Sequence, residues 1–304
     1  MKRPEFTDTA TQRAYIREEW QNFRTTLAVS EPAPTARTWG FEIETPDADS
    51  VYGNAVSVLY ADYREALTAD PNAERRTLES VLNFVADGSV EGENTREECE
   101  CDCDSCRYHD CDCDDCENRN TDPDHDCGSS ECYGTGQYQE ITSLGGLDTT
   151  HPEALTLLDR AHLKDAEVND TCGLHIHLGS ADLSPVQVAN VISAYRATSD
   201  LLGWIAGRSD THYARRNEDT HRAEVMRERS TGKYYAVNTD PHFSTYRPAK
   251  TIEFRQHAGT NDTAEVRAWA VLLIALVEYA KAGKPVYWLA RCRTLAELRH
   301  ELGV

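Results

Sequence analysis

The chain has 304 residues, of which 39% are hydrophobic, enough to fill a core in one large domain or two small ones. Its formal net charge of -21 opposes contact with a phosphate backbone, so nucleic acid is not an expected partner, whereas a nucleotide carried by magnesium is compatible. The N-terminal segment lacks an apolar stretch of signal-peptide length. No run reaches the roughly 18 apolar residues that span a bilayer, so a soluble cytoplasmic protein with no membrane contact is expected.

In chain order, Ile16, Trp20, Phe23 and Leu27 recur at helical spacing and predict an amphipathic helix over about 8–28. A Pro-containing stretch leads into RTWGFEIETP, which alternates like a strand, and Val51, Ala55, Val58, Leu59, Ala66 and Leu67 mark a second helix. SVLNFVADGSV reads as a strand ending in a turn at Asp87-Gly88, and strand character resumes only near Tyr138. Further on come a helix over about 152–164, a strand at TCGLHIHLG, and a long helix opened by Ser184-Pro185 and running to about Ala206. An Arg-rich stretch over 210–230, helical or looped, precedes the strand-like YYAVN and KTIEFRQH. The most apolar helix, DTAEVRAWAVLLIALVEYAK, follows. Strands separated by long segments predict an α+β fold with one mainly antiparallel sheet and helices on one face. No glycine-rich phosphate loop is present, so side chains and metals must hold any nucleotide.

Three strands share one arrangement: two polar residues at i and i+2 among apolar neighbours. They are Glu42 and Glu44 in FEIET, His175 and His177 in GLHIH, and Glu253 and Arg255 in TIEFR. Side chains at that spacing point to one face, while Phe41, Ile43, Leu174, Ile176, Ile252 and Phe254 point to the other. Taken singly, a Glu-x-Glu strand is commonly a solvated face and a Glu-x-Arg strand a satisfied ion pair. Three pairs together, with Glu140 and Asp87 on two further strands, read as a face built for cations. Hard carboxylate oxygens with one or two imidazoles suit magnesium or manganese carrying ATP phosphates.

FEIET, ADGSV, QYQEITS, CGLHIHLG, YYAVN and KTIEFRQHAGT, in that order and followed by an apolar helix, resemble the amidoligase family, relatives of glutamine synthetase and glutamate–cysteine ligase. The likeness covers about 37–282, less the insertion described below. It implies a glutamine-synthetase-like antiparallel sheet whose concave face binds ATP and divalent cations. By that resemblance Glu44 and Glu140 look like ligands of one metal, and Glu42, His175 and Glu253 like ligands of another. His177 looks like the nucleotide-side histidine, and Arg255 like the arginine that steadies the transferred phosphoryl group. Asp87 and Ser89 match the family's turn, or form a plain Asp-Gly turn. Asn238 fits an asparagine before the last strand, and Arg215 is either a phosphate or substrate contact or part of a solvated helix face. The activity implied joins a small-molecule or peptide carboxylate to an amine through an acyl phosphate. Cys172 shares a face with Leu174 and Ile176 and reads as a core thiol, not a nucleophile.

Residues 92–136 differ in kind, being acidic and poor in aliphatic residues. Cys99, Cys101, Cys103, Cys106, Cys111, Cys113, Cys116, Cys127 and Cys132 crowd this segment, and CDCDSC repeats as CDCDDC. In a reducing compartment such spacing reads as zinc ligands, with disulfides and iron–sulfur or copper binding as alternatives. Cys103, Cys106, Cys113 and Cys116 would complete one tetrahedral site. Cys101, Cys111, Cys127 and Cys132, with Cys99 or a histidine as substitutes, would complete another. The organisation expected is an N-terminal helix and linker over 1–36, a catalytic domain over 37–91 and 137–304, and a zinc-binding insertion over 92–136. The insertion would serve as a lid, a substrate-recruiting surface or a dimer contact, so the oligomeric state stays open. Two rival functions remain at this level: a metal-dependent hydrolase using His175 and His177, and a non-catalytic zinc-binding interaction protein.

Overall fold

The computed structural model describes residues 6, 8–29, 37–70, 78, 81–85, 139–143, 153–208, 214–246 and 249–304. Helix α1 (Thr9–Val29) buries Ile16, Trp20 and Phe23 as its spacing predicts; the Leu27 side chain lies outside the described residues. Strand β1 (Trp39–Glu44) leads into α2 (Ala48–Ala69), where Ala48, Val51 and Ala55 are buried and the later turns are more exposed. Strands β2 (Leu82–Val85) and β3 (Glu140–Ser143) follow, then α3 (Glu153–Arg160), β4 (Gly173–Gly179) and α4 (Pro185–Ile205). The chain continues through α5 (Asp219–Val225), β5 (Val237–Asn238), α6 (Asp240–Phe243), β6 (Thr251–Ala258), α7 (Thr263–Lys281), α8 (Val286–Leu289) and α9 (Leu295–Leu302).

The six strands form one open antiparallel sheet in the order β2-β3-β1-β4-β6-β5. Phe41, Ile43, Leu174, Ile176, Ile252 and Phe254 are buried on one face, against helices. Tyr195 of α4 packs on Phe254 with ring centroids 5.4 Å apart, Tyr52 of α2 meets Phe84 edge-on, and Trp269 of α7 stands edge-on to Trp20 of α1. Each aliphatic or aromatic side chain fully withdrawn from water on this face stabilises the fold by about 1.5–3 kcal/mol. The helices are therefore layered on the apolar side of the sheet, which leaves the polar side to the functional residues.

Local signals fix the two principal helices. Ser184 and Gln187 close a reciprocal capping box at the start of α4, followed by the proline that the sequence places there. Asp262 accepts the Ala264 and Glu265 amides at the start of α7. Two expectations need correction, and one irregularity is new. The helix over 152–164 breaks after Arg160: His162 adopts a left-handed φ of 61° before a short 3-10 turn, with Ala161 and Leu163 buried on either side. YYAVN contributes only two ladder residues, Val237 and Asn238, while Tyr235 bridges to Arg215 instead. The register of β6 on β4 slips between Leu174 and Ile176, so Arg255 and Gln256 together oppose His175. Residues 92–136, expected to bind zinc, and the Asp87 turn lie outside the described residues. Among those described, no helix is long and apolar enough to cross a membrane.

Candidate functional site

Strand order explains why the three polar pairs meet. β1, β4 and β6 are immediate neighbours, and the registers set Glu42 opposite His175, His177 opposite Glu253, and Glu253 opposite Asn238. On the far side of β1, Glu140 stands opposite Glu44, so the two carboxylates assigned by resemblance to one metal occupy cross-strand positions on one face.

His175 occupies the middle of the cluster. Its Nδ1 lies 2.9 Å from Glu42 Oε2 and 3.6 Å from Glu253 Oε1, and its Nε2 lies 3.5 Å from Glu44 Oε1. His177 Nε2 is 2.8 Å from the other oxygen of Glu42. Glu253 is held twice more, by Asn238 Nδ2 at 2.6 Å and by the Arg255 guanidinium, while Glu44 Oε2 accepts the Gly173 amide at 2.5 Å. Glu44, His175 and Glu253 are each buried, so these contacts operate where water screens little.

Electrostatics follows from that crowding. Burial alone would raise the Glu42 carboxyl, but hydrogen bonds from His175 and His177 and their charge outweigh it and hold Glu42 far below the usual carboxylate range. Burial would lower His175, and Arg255 opposes its protonation too. The Glu42 hydrogen bond with the Glu44 and Glu253 charges prevails, and the imidazole is pushed up.

Glu42, His177 and Glu253 each offer a ligand atom, and these atoms lie within 4.8 Å of one another. Two carboxylates and an imidazole are a donor set that fits a divalent cation such as magnesium or manganese. Resemblance implies His175 as the imidazole on this metal. The geometry puts His177 within the triad and His175 directly behind it, bonded to the same Glu42.

The remaining candidates divide. Asn238 joins the cluster through Glu253. Arg215 does not: it is exposed beyond β5, its guanidinium over the rings of Tyr234 and Tyr235. Cys172 is buried, with Asn169 Oδ1 at 3.4 Å, and burial pushes its thiol up, as befits a core cysteine. Asp87, Ser89 and the nine cysteines of the insertion lie outside the described residues.

One residue of the site escapes a reading by strand alternation. A methyl group placed on Gly173 would lie 2.8 Å from Arg208 Nη1, 3.1 Å from Glu44 Oε2 and 3.1 Å from His175 Nε2. Arg208 thus meets the cluster over the Gly173 α-carbon, where any added side chain would have to displace the ends of these three. The available signal was Gly207, which takes a φ of 69° just past the end of α4 and turns the chain. Comparison with protein families, with curated proteins and with solved structures finds no match to this chain.

Proposed function

We propose that the protein is an ATP-dependent carboxylate–amine ligase that works through an acyl phosphate. The observation that carries this reading is the convergence of Glu42, His177 and Glu253 within 4.8 Å, on adjacent strands that also supply His175, Glu44 and Arg255. Glu42, His177 and Glu253 would hold a divalent cation, which when bound supplies positive charge against nucleotide phosphates. Arg255, fixed in orientation by Glu253, offers guanidinium donors to a phosphoryl group in transfer. His175 and Asn238 keep the two carboxylates in place. A substrate carboxylate attacks the γ-phosphorus and ADP departs; an amine then displaces phosphate from the acyl phosphate. No protein nucleophile is required. Resemblance to the amidoligase motifs points the same way.

The test is incubation with ATP, magnesium and pools of carboxylates and amines. ADP, phosphate and an amide are expected, and hydroxylamine should trap the activated acid as a hydroxamate. An oxygen-18 carboxylate should deliver one labelled oxygen to the phosphate released. AMP and pyrophosphate would mean adenylation. Amide cleavage without nucleotide would mean a metal hydrolase, and absence of MgATP binding would leave a non-catalytic scaffold. The same proposal assigns two structural zinc ions to the cysteines over 92–136. Elemental analysis under reducing conditions should find about two per chain, and a protein with no tightly held metal overturns that part.

A further inference from the structure

The two arginines at the cluster are in different states. Arg255 is paired with Glu253. Arg208 is half-buried beside Glu44 and His175, yet it makes neither a hydrogen bond nor an ion pair among the described residues. Its position is set by the fold. Helix α4 lies on the apolar side of the sheet, and the carbonyl of Ala206, which caps its C-terminus, accepts the Ala258 amide at 2.9 Å where β6 ends. Gly173 is the register partner of Ala258. Gly207 then turns with its left-handed φ, and Arg208 passes round the end of the sheet to the polar side over Gly173.

A guanidinium partly withdrawn from water whose N–H groups meet no acceptor is costly unless a ligand supplies one. Its planar fork matches the two oxygens of a carboxylate or phosphate. The nearest carboxylate, Glu44, is turned to the Gly173 amide and the His175 ring instead. Arg208 also stands apart from the metal triad. The His175 ring lies between them, with Nε2 toward Gly173 and Arg208 and Nδ1 toward Glu42 and Glu253. A nucleotide phosphate on the Glu42, His177 and Glu253 triad would therefore leave Arg208 to another molecule.

We infer that Arg208 binds an oxyanion of the non-nucleotide substrate, so that substrate carries a carboxylate or phosphate in addition to the group that reacts. This rests on the ligase reading for the word substrate, but not for the anion site itself. Arg208 is then the residue that selects acidic substrates, at the end of the cluster opposite the metal.

The test compares wild type with Arg208→Gln and Arg208→Lys, using succinate, inorganic phosphate and MgADP as probes. Thermal shift and calorimetry are read at constant ionic strength with chloride as the reference. Wild type should respond to succinate or to phosphate above chloride, and whichever is preferred identifies the oxyanion as carboxylate or phosphate. Arg208→Gln should weaken that response at least tenfold, Arg208→Lys should fall between, and MgADP affinity should stay within twofold in both. An equal response in Arg208→Gln, or no response above chloride in wild type, overturns the assignment. So does a loss of MgADP affinity matching the loss of oxyanion binding, because Arg208 would then serve the nucleotide. A wild type that takes the oxyanion but not MgADP keeps the assignment and removes the ligase reading instead.

Discussion

His175 and His257 stand on neighbouring strands, 3% and 2% exposed, on opposite faces of one sheet. Burial pushes both imidazoles down, yet the net shifts are opposite. His175 ends up raised because Glu42, Glu44 and Glu253 lie within 3.6 Å of its ring nitrogens. His257 stays lowered by its burial: Glu265, 3.7 Å from Nε2, and the Ala258 carbonyl pull it back too weakly, and Arg24 and Arg208 add to the lowering. Its ring packs against Trp269 at 5.0 Å, and both His257 Nε2 and Trp269 Nε1 are buried without a hydrogen-bond partner among the described residues. Burial is common to the two sites; the neighbours set the sign. One face of the sheet gathers carboxylates round its histidine, and the other surrounds its histidine with packed rings.

The largest expected effect lies on the packed face. Trp269 is fully buried between His257 and Trp20, so Trp269→Ala should lose about 3–5 kcal/mol in denaturant titration. A loss near zero would mean that α7 is not packed as described. Gly173→Ala should come next, because its methyl would meet Arg208, Glu44 and His175 at 2.8–3.1 Å. Overpacking of this kind costs about 1–3 kcal/mol, and displacement of His175, which holds Glu42, should also weaken magnesium-dependent nucleotide binding. Unaltered binding would show that His175 does not hold Glu42 for the metal.

Glu42→Gln should have a smaller effect on stability, about 1 kcal/mol, since the amide keeps one acceptor for the histidines while repulsion among carboxylates falls. Nucleotide binding should nevertheless weaken about tenfold or more, with partial rescue by added magnesium. Unchanged magnesium dependence would remove Glu42 from the metal. A stability loss as large as that of Trp269→Ala would erase the division between the two faces.

The alternation of FEIET, GLHIH and TIEFR made most of the site legible in the sequence, because a strand assigns its faces by a period of two. The cluster then needs β1, β4 and β6 to be neighbours, and they are. Alternation fails where the ladder is irregular. At the bulge in β6, Gln256 reaches Tyr195 and His257 reaches Trp269, so two successive side chains face the helices. Arg208 was beyond this kind of reading for another reason: it reaches the site through a helix terminus and a left-handed glycine, and nothing periodic marks such a path. Arg215 attracted attention as one of several arginines, but composition does not say which of them the chain turns inward.

The smallest effect tests the comparison itself. His257 has a folded-state pKa below its unfolded value of about 6.5, so the unfolded chain binds the proton first. Its contribution to stability is therefore complete above about pH 6.5 and is lost as pH falls toward the folded value, by at most about 1.4 kcal/mol per pH unit for one proton. Burial would raise Glu265, but His257, Trp20, Thr260 and Arg24 hold it below the usual carboxylate range. Its contribution is likewise present above its unfolded value and lost in acid, from about pH 4.5 downward. His175, shifted the other way, contributes below its unfolded value, and that share is lost as pH rises through the folded one. The two histidines thus act in separate windows on either side of about pH 6.5. Denaturant stability measured from pH 7 to pH 5 in the presence of chelator should fall with acid in wild type and fall less steeply in His257→Gln. Equal slopes in the two proteins would mean that His257 is protonated as easily in the folded chain as in the unfolded one, and that Glu265 and the Ala258 carbonyl offset its burial in full.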